Sequence, residues 1–300
     1  MDEVSLKEFK TFDEQLDILR NRNLVIDNPD FAKAVLMRVN YYRFTAYLFQ
    51  FKIDQDNYMP GTKFDKIYNI YEFDRKLRNI TITLLEHIEI AFRTYIAYTH
   101  SKKYGPDGYL NPSNFLNRTS WSGKDFHTEF CEILDCSKKS NKHRAFVQHH
   151  ISSYSGKMPL WVATEILTFA NISKLYSNLL PSEKGYIKQH FVTVNVDFVE
   201  NWLECLTGVR NACAHSHRIY NEDFMLSKIL KRYKGNNLNS RKFFNYVIAM
   251  RYLTNSDFEW DAFYIRLDDL IREYRQSIDL ALLGFPENWN EILTEPIKLN

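Results

Sequence analysis

Apolar residues along the chain recur mostly three and four positions apart, the period of an α-helix, and seldom alternate as in a half-buried strand. Phe198, Val199, Trp202, Cys205, Leu206, Val209 and Cys213 form one such stripe and predict an amphipathic helix beginning near Asp197. Phe191 to Phe198 alternates valine with polar residues, but a lone strand lacks a partner, so it reads as an extended lead into that helix. Thr11 and Glu14 have capping-box spacing and open a first helix. Asn28-Pro29-Asp30 opens a second, whose face of Phe31, Val35, Leu36, Val39, Tyr42, Ala46, Tyr47 and Phe49 carries it to about Phe51. The longest pattern runs from about Phe64 to His100, with Leu77, Leu84, Ile88, Phe92 and Tyr95 on one side. Tyr71, Arg75, Arg78, Glu86, Glu89 and Arg93 occupy the other, where Asp74 to Arg78 and Glu89 to Arg93 have ion-pair spacing.

Residues 101–160 are broken by Gly105-Pro106-Asp107-Gly108, Asn111-Pro112-Ser113 and Ser152 to Gly156, leaving helices at about 123–135 and 141–151. The helical period resumes from Leu160 through Ile166, Leu167, Ile172, Leu175 and Tyr176, and again from Asp261 to Leu283 before a stop at Gly284. The fold is therefore expected to be all-α. An N-terminal hairpin (1–60) precedes a helical core (61–223) with an irregular insertion at about 101–160, and C-terminal basic and amphipathic helices (224–300) are appended, all in one compact unit. Only 9 glycines and 8 prolines in 300 residues agree with long helices, and 45% hydrophobic residues suffice for a sizeable core.

The start MDEVSLKEFK lacks an apolar stretch after a basic opening, and nowhere do about 18 apolar residues run together. Neither a secretory signal nor a membrane span is expected, which makes the cytoplasm the default location. Of four cysteines, Cys205 and Cys213 belong to the apolar stripe and read as reduced packing residues. Cys131 and Cys136 with His143, His149 and His150 offer zinc-ligand chemistry, but a lysine-rich segment without a second matched pair has the wrong spacing. No metal or cofactor is expected.

A net charge of +2 says little about partners; its distribution says more. Between Phe224 and Ser256 no acidic residue occurs, whereas Lys228, Lys231, Arg232, Lys234, Arg241, Lys242 and Arg251 do. Tyr233, Phe243, Phe244 and Tyr246 are interleaved with them, either as platforms for base stacking beside phosphate contacts or as core residues of two helices.

The densest chemistry lies at Arg210-Asn-Ala-Cys-Ala-His215, followed by Ser-His-Arg-Ile-Tyr-Asn. At about 100° per residue, Asn211 and His215 share a polar face one turn beyond Gly208, while Arg210 points roughly 140° away from His215. Either the arginine curls round, or the two meet through a second copy across a dimer axis. Histidine can move a proton near neutral pH and a guanidinium can grip a phosphate oxygen. RNA supplies its own nucleophile in the ribose 2′-hydroxyl, so proton transfer, charge stabilisation and alignment suffice. The same residues would also complement a helix macrodipole without chemistry.

Arg-Asn-x-x-x-His resembles the arginine–histidine signature of the HEPN superfamily, and RNACAHSHRIYN is similar to the corresponding stretch of the Abi-like (abortive infection) phage resistance proteins. TFDEQLDILRNRNLVIDNPDFAKAVLMRVNYYRFTAYLFQF, IYEFDRKLRN, HIEIAFRTYIAYTH, MPLWVATEILTFANISKLYSNL and LGFPENW resemble that family's blocks in order, from about residue 10 to 293. The resemblance implies a HEPN-type helical bundle with metal-independent ribonuclease activity, in which Arg210 and His215 are the catalytic pair and Asn211 supports them. It further implies a homodimer whose growth-arresting activity is restrained by an antitoxin protein or a structured RNA. The family blocks suggest a groove in which Arg75, Arg78 and Arg93 contact phosphate and Glu86 and Glu89 orient them. His217, Arg218, Lys231, Arg232, Arg241 and Lys242 complete the expected RNA contacts. The alternative is a non-catalytic module that holds a structured RNA in the same groove.

Overall fold

A computed structural model of the chain describes residues 6–119, 123–192, 194–236 and 238–297. Part of the N-terminal stretch read for a secretory signal lies outside them. The architecture is all-α, and pairing between extended segments is confined to isolated bridges among the described residues. No helix in this set is long and apolar enough to cross a membrane. The chain forms two compact units, one of residues 1–77 and 267–279, the other of 78–266 and 280–300.

The first unit begins with α1 (Phe12–Asn21), whose capping box closes as expected: the Thr11 hydroxyl accepts from the Glu14 N–H and the Glu14 carboxylate accepts from the Thr11 N–H. α2 (Pro29–Val39) starts from Asn28, whose side chain accepts from the Phe31 N–H at 3.0 Å. The single helix expected to reach Phe51 instead breaks at Asn40, which adopts φ 68° and caps a new short helix, α3 (Tyr41–Thr45), through the Tyr42 N–H. Asparagine tolerates this left-handed conformation better than most residues. Leu16, Leu19, Val35, Leu36, Phe44 and Leu48 are buried with Phe64, Ile67, Ile70 and Phe73 from the first turns of α4 (Phe64–Tyr104), and Phe44 stacks on Phe64 at 4.3 Å.

The second unit contains α4 from Arg78 onward, then α5 (Phe126–Ser140), α6 (Ala145–Ser153), α7 (Leu160–Ala163), α8 (Phe169–Asn178), α9 (Pro181–Phe191), α10 (Val196–Ala214), α11 (Phe243–Leu253), α12 (Asp257–Tyr274) up to Arg266, and α13 (Trp289–Thr294). α10 packs on α8 and α11 through the expected stripe, in which Val199, Trp202, Cys205, Leu206, Val209 and Cys213 are buried. Every residue of α11 is buried, as befits a helix apolar all round.

That burial settles the two readings of the basic stretch. Tyr233, Phe243, Phe244 and Tyr246 are core residues, so no base can stack on them. Residues 224–230 are irregular rather than helical, and are tied down by Trp202 Nε1 donating to Lys228 O (2.9 Å) and Asn245 donating to Ser227 O (3.2 Å). The helical pattern expected as far as Leu283 stops at Tyr274 and resumes as a 3-10 turn over Leu280–Leu283. Gly284 follows at φ 79°, and a Cβ there would meet Lys242 Cβ at 2.5 Å, so both conformation and space demand glycine.

Candidate active site at the end of α10

The carboxyl end of α10 is shaped by its backbone. The His215 N–H donates to Asn211 O (2.9 Å), the Ser216 N–H to Cys213 O (3.3 Å) and the His217 N–H to Ala212 O (2.8 Å), with Ser216 at φ 58°. The last two bonds are those of a Schellman stop, which normally places glycine at the left-handed position. A residue with a Cβ pays roughly 1–2 kcal/mol for that conformation. The turn leaves Asn211, His215 and His217 exposed together, with the two imidazoles 6.0 Å apart. One turn earlier Gly208 faces open space.

Arg210 leaves α10 on another side and meets α4. Its Nε lies 3.4 Å from Glu89 Oε2, while Glu89 Oε1 accepts from Arg93, so one buried carboxylate bridges two guanidiniums. The Arg93 guanidinium also donates to the carbonyls of Thr164 and Leu167, the latter at 2.7 Å. Glu89 meets Arg210 at its Nε edge, and the arginine side chain stays 35% exposed, which leaves it open to an approaching anion. A phosphate oxygen approaching it would find the arginine already oriented.

The remaining expected residues are distributed differently. Arg78 is buried, and Arg93 spends its donors on internal acceptors, which removes both from the surface expected to meet phosphate. Arg75 lies in the first unit, exposed and paired with Glu72 at 2.8 Å. Glu86 is exposed on α4. Arg218 Nε donates to Glu222 at 2.7 Å, Arg232 pairs with Glu295 at 2.8 Å and Lys242 with Asp223 at 3.0 Å. Lys231 and Arg241 are exposed. The site gathered within one unit is thus Glu89, Arg93, Arg210, Asn211, His215 and His217. Helical spacing foretold the Glu89–Arg93 pair, but carbonyls that anchor Arg93 from more than seventy residues away carry no sequence signal.

The four cysteines are free thiols, and Cys131 Sγ lies 3.8 Å from His127 Nε2. Among the described residues no group of three or more His, Cys, Asp or Glu side chains could hold a metal ion.

An all-α protein with an amide and two imidazoles exposed at one helix stop, and a carboxylate-held arginine on another side of the same helix, is the class these observations define. Residues 34–221, more than half of the chain, match the family model described as Abi-like protein, and the chain belongs to that family. Membership supports a role in abortive infection, a form of phage defence. No curated protein and no solved structure matches the chain.

Proposed function

We propose that this protein is a metal-independent endoribonuclease of phage defence that cleaves RNA through attack by the ribose 2′-hydroxyl. One imidazole removes the 2′-hydroxyl proton as the oxygen bonds to phosphorus, the bond to the 5′-oxygen breaks, and a proton is delivered to that leaving oxygen. The products are a cyclic phosphate and a 5′-hydroxyl. His215 carries the proton transfer, Arg210 neutralises the charge gathering on the phosphate oxygens, and Asn211 positions His215 or a phosphate oxygen. The observation that carries the reading is the exposed Asn211–His215 face on a helix that also carries an arginine pre-oriented by buried Glu89.

Arg210 and His215 leave α10 on different sides, which favours a composite site in which a homodimer brings together groups from two copies. His217, Arg218, Lys231, Arg232, Arg241 and Lys242 serve as peripheral phosphate contacts. The enzyme acts in the cytoplasm, where it arrests growth on infection, and an antitoxin protein or a structured RNA restrains it between infections.

The test is incubation of the purified protein with labelled total RNA in EDTA, followed by end-group analysis. Cyclic phosphate termini are expected, and His215→Ala should reduce cleavage by about 10²–10⁴-fold while leaving RNA affinity nearly intact. Strict dependence on magnesium, or full host toxicity of His215→Ala, overturns the assignment.

A further inference from the structure

A cleft of about 470 Å³ lies beside the Glu89–Arg93–Arg210 network, sharing Arg93 with it. Its volume falls within the ~300–1,000 Å³ typical of small-molecule sites. One wall is a single face of α4, formed by Thr94, Ala97, Tyr98, Ser101 and Lys102; the other is Trp161, Thr164 and Glu165. Three features of this cleft are unspent by the fold. Trp161 is 53% exposed at the cleft mouth, whereas Tyr98 on the opposite wall is engaged by the Tyr186 ring and the Lys102 ammonium. The Ser101 hydroxyl, on the same wall as Tyr98, is shielded from solvent and has no hydrogen-bond partner in the structure. The Glu165 carboxylate has no ion-pair partner among the described residues, since Arg144 reaches only its backbone carbonyl.

We propose that this cleft is a base-recognition subsite that takes an unpaired guanine of the RNA, a proposal that rests on the ribonuclease reading. The base stacks on the Trp161 indole. Guanine presents two adjacent N–H donors, at N1 and N2, on its Watson–Crick edge, and a carboxylate accepts both at once; adenine, cytosine and uracil have no such pair beside each other. Lys102, whose Nζ already lies 3.3 Å from the Tyr186 hydroxyl, stands at the rim where the attached phosphate would emerge. Because Arg93 touches both cleft and network, a nucleotide held here lies next to the linkage offered to Arg210.

Binding is measured with single nucleotides, so its outcome is separate from cleavage. Titration of the His215→Ala protein with guanosine monophosphate should quench tryptophan fluorescence, and the adenosine, cytidine and uridine monophosphates should bind at least tenfold more weakly. Trp161→Ala, a surface change that leaves folding intact but removes the reporting ring, should weaken guanosine monophosphate about tenfold when measured by isothermal titration calorimetry; Glu165→Gln should abolish the preference among bases. Absence of saturable quenching overturns the subsite. Equal affinity for all four nucleotides, or an unchanged preference in Glu165→Gln, overturns the guanine assignment.

Discussion

Glu89 gives the sharpest test of how the site is built, because a single carboxylate holds two arginines. Glu89→Gln keeps the shape of the side chain and removes its charge. Breaking a buried ion pair by neutralising one partner typically costs about 3–5 kcal/mol. Arg93, 12% exposed at its side chain, keeps the Thr164 and Leu167 carbonyls, so its guanidinium is not left bare. The Arg210 side chain is 35% exposed, and water screens much of its share. The expected loss is therefore at the lower end, about 3 kcal/mol, read from urea unfolding of variant and parent. The functional signature differs from simple destabilisation. Arg210 loses its aligning partner but not its charge, and a negative charge near the phosphate path is removed. The cleavage rate at saturating RNA should fall about tenfold, while RNA affinity stays constant or tightens. Adding Glu89→Gln to an Arg210→Gln background should cost less than in the parent, since the two changes remove one interaction. A stability change below about 1 kcal/mol, as for an ordinary surface pair, together with an unchanged cleavage rate, would refute the bridging role.

If the active site combines Arg210 of one copy with His215 of another, a mixture of the inactive Arg210→Ala and His215→Ala proteins regenerates one intact site per mixed dimer and recovers about a quarter of parental cleavage; a mixture as inactive as its components places both groups within one copy. Alkaline stability is set by buried phenols. Burial raises Tyr109 to about 12 and pushes Tyr176, Tyr246 and Tyr252 well above the ordinary value of 10.0. The folded chain holds these protons more tightly than the unfolded chain, so their contribution is complete below pH ~10 and is lost as pH rises through the folded values. The last fraction of tyrosinate absorbance should therefore appear only with loss of helicity above pH ~10, and ionisation of every tyrosine with helicity unchanged would contradict the burial.

The elements were legible wherever one helix face had to be apolar. The stripe of α10, the capping box of α1 and the length of α4 follow from spacing and caps alone, and each occurs where the spacing put it. The misreadings have physical causes. The expected second helix was interrupted because Asn40 can enter the left-handed region and re-cap the chain. For the basic stretch, alternating lysines and aromatics left a stacking platform and a helical core equally open, because only burial tells the two apart, and α11 is buried on every side. At the candidate site, sequence supplied the residues of α10 and the Glu89–Arg93 spacing, but not the contact between helices that lets Glu89 hold Arg210. Trp161 and Tyr98 carried no signal either, since an exposed aromatic is indistinguishable from a core one until the packing is known.

The end of α10 offers a physical reason for placing the proposed chemistry there. A helix interior fixes side-chain directions, so Arg210 and His215, five residues apart, cannot face the same way along one. Ending the helix between them changes that constraint on one side only. Arg210 remains on the rigid part, where Glu89 holds it, while His215 occupies the cap and His217 is brought back beside it by the left-handed turn at Ser216. A glycine would make that turn at lower conformational cost but would also loosen it. With serine the stop is strained yet narrowly defined, which suits two imidazoles that, on the proposed ribonuclease reading, must keep a fixed relation to each other at the scissile phosphate.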